Sequence, residues 1–245
     1  IILASYLDTN LSHQLNLSPK KIKSLQKKYS SENIVKNLKT YKKGETFEQL
    51  VERKVKPFYG KTISQISKKR KVTFNYSAKD LAYHVCRATF DVKSKKIQEF
   101  ENAEISLKTI VLEADREYVV ESMSFPYIRF VEMVNQEWKE SAWYKLLTSK
   151  FFFVVFRKSI DENKQSMKLE KVFFWNMPYS DLKIAEDLWI DTRQKVEKGD
   201  YDNFITTKAY NKVCHVRPHG TKGQTVETPQ GIRVQPKCFW LNNNY

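Results

Sequence analysis

Apolar positions early in the chain recur at helical spacing, and beyond about residue 104 they give way to short β-branched and aromatic runs. Ser18-Pro19 makes an N-cap and first-turn pair, followed by Ile22, Leu25 and Tyr29 on one helical face. Phe47, Leu50, Val51 and Val55 predict a second helix that ends before Pro57. Residues 77–90 predict a third, with Ser77 and Asp80 as a capping-box variant. Strands are predicted over 106–112, 119–123, 151–156 and 172–175, and the segment around Trp138 and Trp143 reads as helical. Residues 180–198 carry Leu182, Ala185, Leu188, Trp189 and Val196 at helical period and stop at Gly199. The tail returns to strands at 212–217, 232–234 and 238–241. Helices first, a sheet in the centre and a strand-rich tail predict an α+β (mixed α/β) domain. With 6 Gly, 7 Pro and no internal repeat, 1–245 is expected to form a single domain: a basic helical extension over 1–40 and a core over 41–245.

Charge narrows the class of partner. Lys+Arg 43 against Asp+Glu 28 gives a formal net charge of +15, and the pI is near 9.5. Such an excess favours polyanions, because neutralised phosphates release condensed counterions. The basic residues cluster, first around Lys20, Lys21, Lys23, Lys27 and Lys28, then at Lys68-Lys69-Arg70-Lys71 beside Val72, Phe74 and Tyr76. Each cluster suits phosphate contact or a simple solvated face. Cys86, Cys214 and Cys238 form neither a disulfide framework nor a zinc pattern, so a reducing, cytoplasmic compartment is expected. No run approaches the roughly 18 apolar residues of a membrane span. The chain opens at Ile1 rather than Met, the mark expected of a piece cut from a longer polypeptide.

Two motifs carry candidate chemistry. In Ala103-Glu104-Ile105-Ser106-Leu107-Lys108-Thr109-Ile110, strand alternation places Glu104, Ser106 and Lys108 on one face. Metal-dependent phosphodiester cleavage usually takes two carboxylates to hold Mg²⁺ and a lysine beside the attacking water. Here the lysine is present, and a hydroxyl stands two residues before it. In Val213-Cys214-His215-Val216-Arg217-Pro218-His219-Gly220, a strand ends in a guanidinium at a proline-stiffened edge. Arginine there suits guanine O6 and N7 in the major groove, or a surface ion pair. The loop beyond it, with Thr221, Lys222, Gly223 and Gln224, can reach phosphates or base edges. His215 and His219 flank Arg217 without sharing a helix face, so no metal pair is expected there.

Taken in order, residues 44–52, 106–110, 216–218 and 238–241 resemble the MutH/Sau-type GATC-specific endonuclease family. Residues 44–52 resemble its first motif helix, and 106–110 its Glu-x-Lys-Thr-Ile active-site strand. Residues 216–218 and 238–241 resemble its Arg-Pro-Lys recognition loop and C-terminal Phe-Tyr-Leu. The likeness spans about residues 40–245 and implies a restriction-endonuclease-like fold, a central mixed β-sheet flanked by helices. It implies that Glu52 is the helix glutamate near the metal and Lys108 the catalytic lysine, with Lys150 a further active-site lysine. Ser106 then occupies the place of a metal-binding carboxylate, and the aspartate seven residues earlier falls on Glu99. Arg217 would read guanine beside Pro218, with Trp240 in place of a base-contacting tyrosine and His219 in place of a lysine. Lys222 and the Lys68, Lys69, Arg70 and Lys71 cluster would contact the DNA backbone.

Removing one of two carboxylates weakens a hard-cation site severely, and Glu104 lies about 6–7 Å further along an ideal strand. The expectation is therefore a catalytically degenerate site: Glu52, Glu104, Ser106, Lys108 and Lys150 without activity or metal in this chain, and Mg²⁺ only in its parent enzyme. Within the family, the chain looks like the C-terminal effector domain of a type IIE restriction enzyme. Its partners would be GATC duplex and an N-terminal catalytic domain of the same bacterial polypeptide, with dimerisation on DNA. Two alternatives stand beside it. One is an active Mg²⁺ endonuclease using Glu52, Glu104 and Lys108 in a shifted arrangement; the other is a non-catalytic basic scaffold.

Overall fold

Side-chain caps rather than helix propensity set where the first helices begin. A computed structural model describes residues 31–245 except 79, 95, 162–163 and 207–210; the predicted helix after Ser18 and its lysines lie outside the described residues. The chain runs through β1 (Ser31–Glu32), α1 (Phe47–Val55), α2 (Ile63–Arg70), α3 (Leu81–Thr89), β2 (Lys96–Ile97), α4 (Gln98–Asn102) and β3 (Ser106–Leu112). It continues with β4 (Met123–Tyr127), α5 (Phe130–Met133), α6 (Ala142–Thr148), β5 (Phe151–Asp161), β6 (Lys164–Trp175) and α7 (Tyr179–Glu197). Last come β7 (Cys214–Pro218), β8 (Val226–Glu227), β9 (Arg233–Val234) and β10 (Lys237–Leu241).

Thr46 accepts from the Gln49 N–H at 3.3 Å while Gln49 Oε1 accepts from the Thr46 N–H at 2.9 Å, a reciprocal cap that starts α1. Thr62 and Gln65 repeat the device at the start of α2. That helix runs through the basic cluster, where the density of charge hid a Thr-x-x-Gln start signal. The third helix starts at Leu81, not Ser77, because the Ser77 N–H donates to Asn75 Oδ1 at 3.0 Å and closes a turn instead. The last long helix ends as the sequence predicts: Gly199 sits at φ +74, its N–H bonds Val196 O, and the Asp200 N–H bonds Lys195 O.

The fold class is α+β with mixed pairing, parallel between β1 and β2 and antiparallel where β10 meets β4 and β7. Contacts divide the described residues into two compact units, one of 31–110 with Phe151–Phe174, the other of Val111–Lys150 with Trp175–Tyr245. No Gly- or Pro-rich stretch marks these change-overs, so a reading of linkers alone finds one unit.

The first unit holds a sheet in the order β3-β5-β6. Its central strand is buried on both faces over residues 151–156, which is why that run is continuously apolar. Phe152 packs against Phe174 at 4.8 Å and Phe100 at 5.3 Å, and Phe90 lies 6.0 Å away. Both β5 and β6 extend well past their apolar cores, with Arg157 donating to both Glu170 oxygens at 2.6 and 3.1 Å.

In the second unit the order is β4-β10-β7. The edge strand β4 carries Pro126, tolerable where no ladder bond is needed on the outer side. It covers 123–127 rather than the predicted 119–123. The carbonyls of Val119 and Val120 accept from Asn243 Nδ2 at 3.0 and 2.8 Å instead of from a neighbouring strand. One face of this sheet packs on α6, where Phe239 stacks on Trp143 with centroids 3.8 Å apart. The other face carries the candidate interface.

Candidate nucleic-acid interface and the Ser106–Lys108 strand

Antiparallel register explains which side chains meet on the second face of the β4-β10-β7 sheet. Trp240 pairs with His215 and Cys238 with Arg217, so all four point the same way. Alternation along the chain adds His219 just beyond the strand end. The Arg217 guanidinium lies over the Trp240 ring, 3.8 Å from its centroid. His215 lies near parallel to that ring at 6.3 Å and His219 meets it edge-on at 5.1 Å. The two histidines thus do share a face, a strand face, with an indole between them. Trp240 is 7% exposed, so it supports Arg217 from below, and its Nε1 has no acceptor among the described residues. His215 is buried, and its Nδ1 contacts Asn242 Oδ1 at 2.5 Å while Asn242 Nδ2 donates to Asn211 O at 3.0 Å.

The loop after Pro218 is tied back at several points. The His219 N–H donates to Pro236 O at 3.0 Å, and its ring lies 5.8 Å from that of Tyr127. Gln224 Oε1 accepts from the Thr221 N–H at 3.2 Å and from the Thr221 and Tyr127 hydroxyls at 3.4 Å each. Gly220, at φ +134, permits this: a Cβ there would stand 2.9 Å from that oxygen. Pro218, His219 and Lys222 are exposed and Arg217 is half-buried. Sequence reasoning missed Tyr127 and the bracing of Gln224; the alternation of His215, Arg217 and His219 was the available sign of a common face.

In the first unit the basic cluster occupies the last turn of α2, with Lys71 in the left-handed cap at φ +52. Lys68, Lys69 and Lys71 are exposed. Arg70 turns back instead, donating to Thr89 O and lying 4.7 Å from the Phe58 centroid, so one of the four predicted phosphate contacts is a packing residue.

Ser106 and Lys108 share a face of β3, as the alternation predicts, and both are half-buried. Burial pushes the Lys108 ammonium pKa below its ordinary value, since desolvation disfavours the charged form. Glu104 does not join them. It precedes the strand, exposed, in the left-handed region at φ +50. Its N–H bonds Glu101 O while the Ile105 N–H reaches back to Phe100 O at 2.8 Å. The turn that terminates α4 therefore claims Glu104, which a uniform strand would have put beside Ser106.

Two nearby carboxylates have other partners. Glu99 accepts from the backbone N–H groups of Ile34 at 3.0 Å and Val35 at 2.8 Å, one on each oxygen. Glu101 is ion-paired with Lys96. Glu52 lies exposed on α1, and Lys150 is half-buried just ahead of β5. Among the described residues, no three His, Cys, Asp or Glu side chains converge as a metal-holding group. No helix of the described residues is long and apolar enough to cross a membrane. All three cysteines are buried, and burial pushes the Cys214 thiol up to about 12 and Cys238 to about 11.

Residues 89–188, which include β3 and β5, match the MutH family, described as the DNA mismatch repair enzyme MutH. The chain is also 25% identical over 232 residues to the type II restriction enzyme Sau3AI of Staphylococcus aureus. That likeness takes in 82% of this chain and 46% of the relative, so the chain spans about half the length of the curated protein it matches. With its α+β architecture and this matched segment, the chain is similar to the MutH family over residues 89–188 and to a type II restriction enzyme over most of its length.

Proposed function

We propose that this chain is a DNA-reading, cleavage-incompetent domain of a type II restriction enzyme. It binds duplex GATC, with lysines on phosphates setting affinity and Arg217 setting specificity. The observation that carries this reading is the contrast between two motifs of one chain. Arg217 is braced on a buried indole at a sheet edge, whereas a hydroxyl stands two residues before Lys108 and the segment Ser106–Leu112 contains no Asp or Glu. Two carboxylates are what a Mg²⁺ site of this type requires. The nearest candidates in sequence do not fit: Glu99 holds backbone amides, Glu101 holds Lys96, and Glu104 belongs to a helix-ending turn.

The chain spans about half of its relative, which supports a further catalytic domain on the same polypeptide. In that setting the domain acts as the type IIE effector: it binds a second copy of the site and favours the cleaving conformation. Such coupling requires the active conformation to bind that second site more tightly. Dimerisation on DNA would bring two such sites together.

The test is an incubation of the chain with Mg²⁺ and two labelled duplexes, one with GATC and one scrambled, followed for retention and for cutting. Selective retention without cutting is expected. Selective cutting would instead establish an active endonuclease, and loss of all selectivity a basic scaffold.

A further inference from the structure

We propose that Gln224 is a second specificity-determining residue of the same site, donating to an acceptor of the A·T pair beside the guanine read by Arg217. The inference rests on the DNA-reading function proposed above and extends it to a residue outside the Arg217 motif. A glutamine commonly reads adenine by accepting from N6 and donating to N7 at once. Here that mode is closed. Oε1 faces three donors, the Thr221 N–H, the Thr221 hydroxyl and the Tyr127 hydroxyl, at 3.2 to 3.4 Å. The backbone joins in, with the Gln224 N–H on Thr221 O at 3.1 Å. The two hydroxyls could accept as well as donate, but the Thr221 N–H only donates, so a flipped amide would set its own N–H₂ against that donor. Its Nε2 then presents two donors and no acceptor.

Major-groove chemistry decides what such a group selects. Arg217, reading guanine bidentately, uses both O6 and N7. The acceptors left on a neighbouring A·T pair are adenine N7 and thymine O4, both of which match a pure donor. Two features tie Gln224 to the Arg217 site. Tyr127, which braces its oxygen, also packs on His219 at 5.8 Å, and His219 packs on Trp240 beneath Arg217. Gly220 supplies the clearance, so the loop backbone is shaped around the glutamine head.

The experiment measures the ratio of affinities for GATC and scrambled duplexes by fluorescence anisotropy, for the unmodified chain, Gln224→Met and Gln224→Glu. Met keeps length and bulk without a donor, and Glu offers only acceptors. Gln224→Met should lower the ratio by about five- to tenfold with scrambled affinity unchanged, and Gln224→Glu by more. Duplexes carrying 7-deaza-adenine (no N7) or 5-methylpyrimidin-2-one (no O4) separate the two acceptors. One of them should reproduce the loss in the unmodified chain and add nothing further in Gln224→Met. A ratio unchanged in Gln224→Met overturns the proposal, as do analogue losses that are equal in the unmodified chain and the variant, which mark a loop prop. Absence of any preference in the unmodified chain overturns the DNA-reading function itself, and is recognised because Arg217→Ala then changes nothing either.

Discussion

The guanidinium of Arg217 rests 3.8 Å from the centroid of the Trp240 ring, on an indole that is itself 93% buried by the surrounding sheet and loop. The aromatic residue of this site is thus a platform. Where a tyrosine would carry a hydroxyl, this chain has a larger planar surface and a donor without an acceptor. Stacking limits the rotamers of Arg217, and in the DNA-reading function proposed above this lowers the entropy lost on binding.

Arg217→Ala should weaken binding to GATC duplex by about 1–3 kcal/mol and to scrambled duplex by much less. Trp240→Phe should cost part of that loss, and the double variant should fall short of the sum by about 0.5–2 kcal/mol. Anisotropy titrations of the four proteins give the cycle. Strict additivity would detach the platform from the reading role.

Restoring a carboxylate at position 106 should not restore cleavage. In Ser106→Glu the new acid stands two residues from Lys108, but Glu99 still holds the Ile34 and Val35 amides. The variant should retain GATC duplex without cutting it in Mg²⁺. Glu99→Gln should instead destabilise the fold by about 1–3 kcal/mol, because charge-assisted bonds to two backbone donors are weakened. Denaturant midpoints measure the second effect and gel assays the first.

Lys108 links stability to alkaline pH. Its folded pKa lies below its unfolded value of 10.5, so between the two the unfolded chain binds more protons and stability rises with pH. Below the folded pKa the burial penalty on the ammonium is present in full. Lys108→Met should flatten the rise in urea midpoint on approach to pH 10.5 and leave GATC retention unchanged. An unaltered alkaline profile would assign the rise elsewhere; lost retention would give Lys108 a part in binding.

At the acid end the group to follow is Glu45. Both of its oxygens take Arg53 donors, at 2.6 and 2.7 Å, and the Lys42 N–H adds a third bond at 2.9 Å. The Arg53 hydrogen bonds, then the Lys42 amide, lower its pKa from 4.5 to about 2. A depressed carboxylate stabilises the fold above its unfolded pKa, and that contribution fades as pH falls from 4.5 through about 2. Glu45→Gln should be less stable at neutral pH and show a shallower loss of Tm across that window. Parallel slopes for both proteins would contradict the role of this pair.

Local chemistry made much of the fold legible in the residues themselves. The Phe47–Val55 helix, the stop at Gly199, the apolar stripe of α7, the continuous run at 151–156 and the β3 strand are each short-range patterns, and each appears where its pattern puts it. Arg217 and Lys108 could be singled out for the same reason, since a strand ending in Arg-Pro and a strand with an alternate-face lysine are visible along the chain. What escaped were relations between residues distant in sequence. The Asn243 amide took the Val119 and Val120 carbonyls and moved β4 toward Tyr127. A helix-ending turn removed Glu104 from the strand, and backbone amides more than 60 residues away took Glu99.

By itself the sequence determined the element types, the basic character and the two motifs, because these depend on neighbours three or four positions away. Only the tertiary structure decided that Trp240 lies under Arg217, that Tyr127 and Thr221 hold the Gln224 oxygen, and which carboxylates are already engaged. Hydrogen-bond and ring partners are set by strand register and by chain returns of tens of residues, and no local pattern encodes which acceptor a given donor will meet.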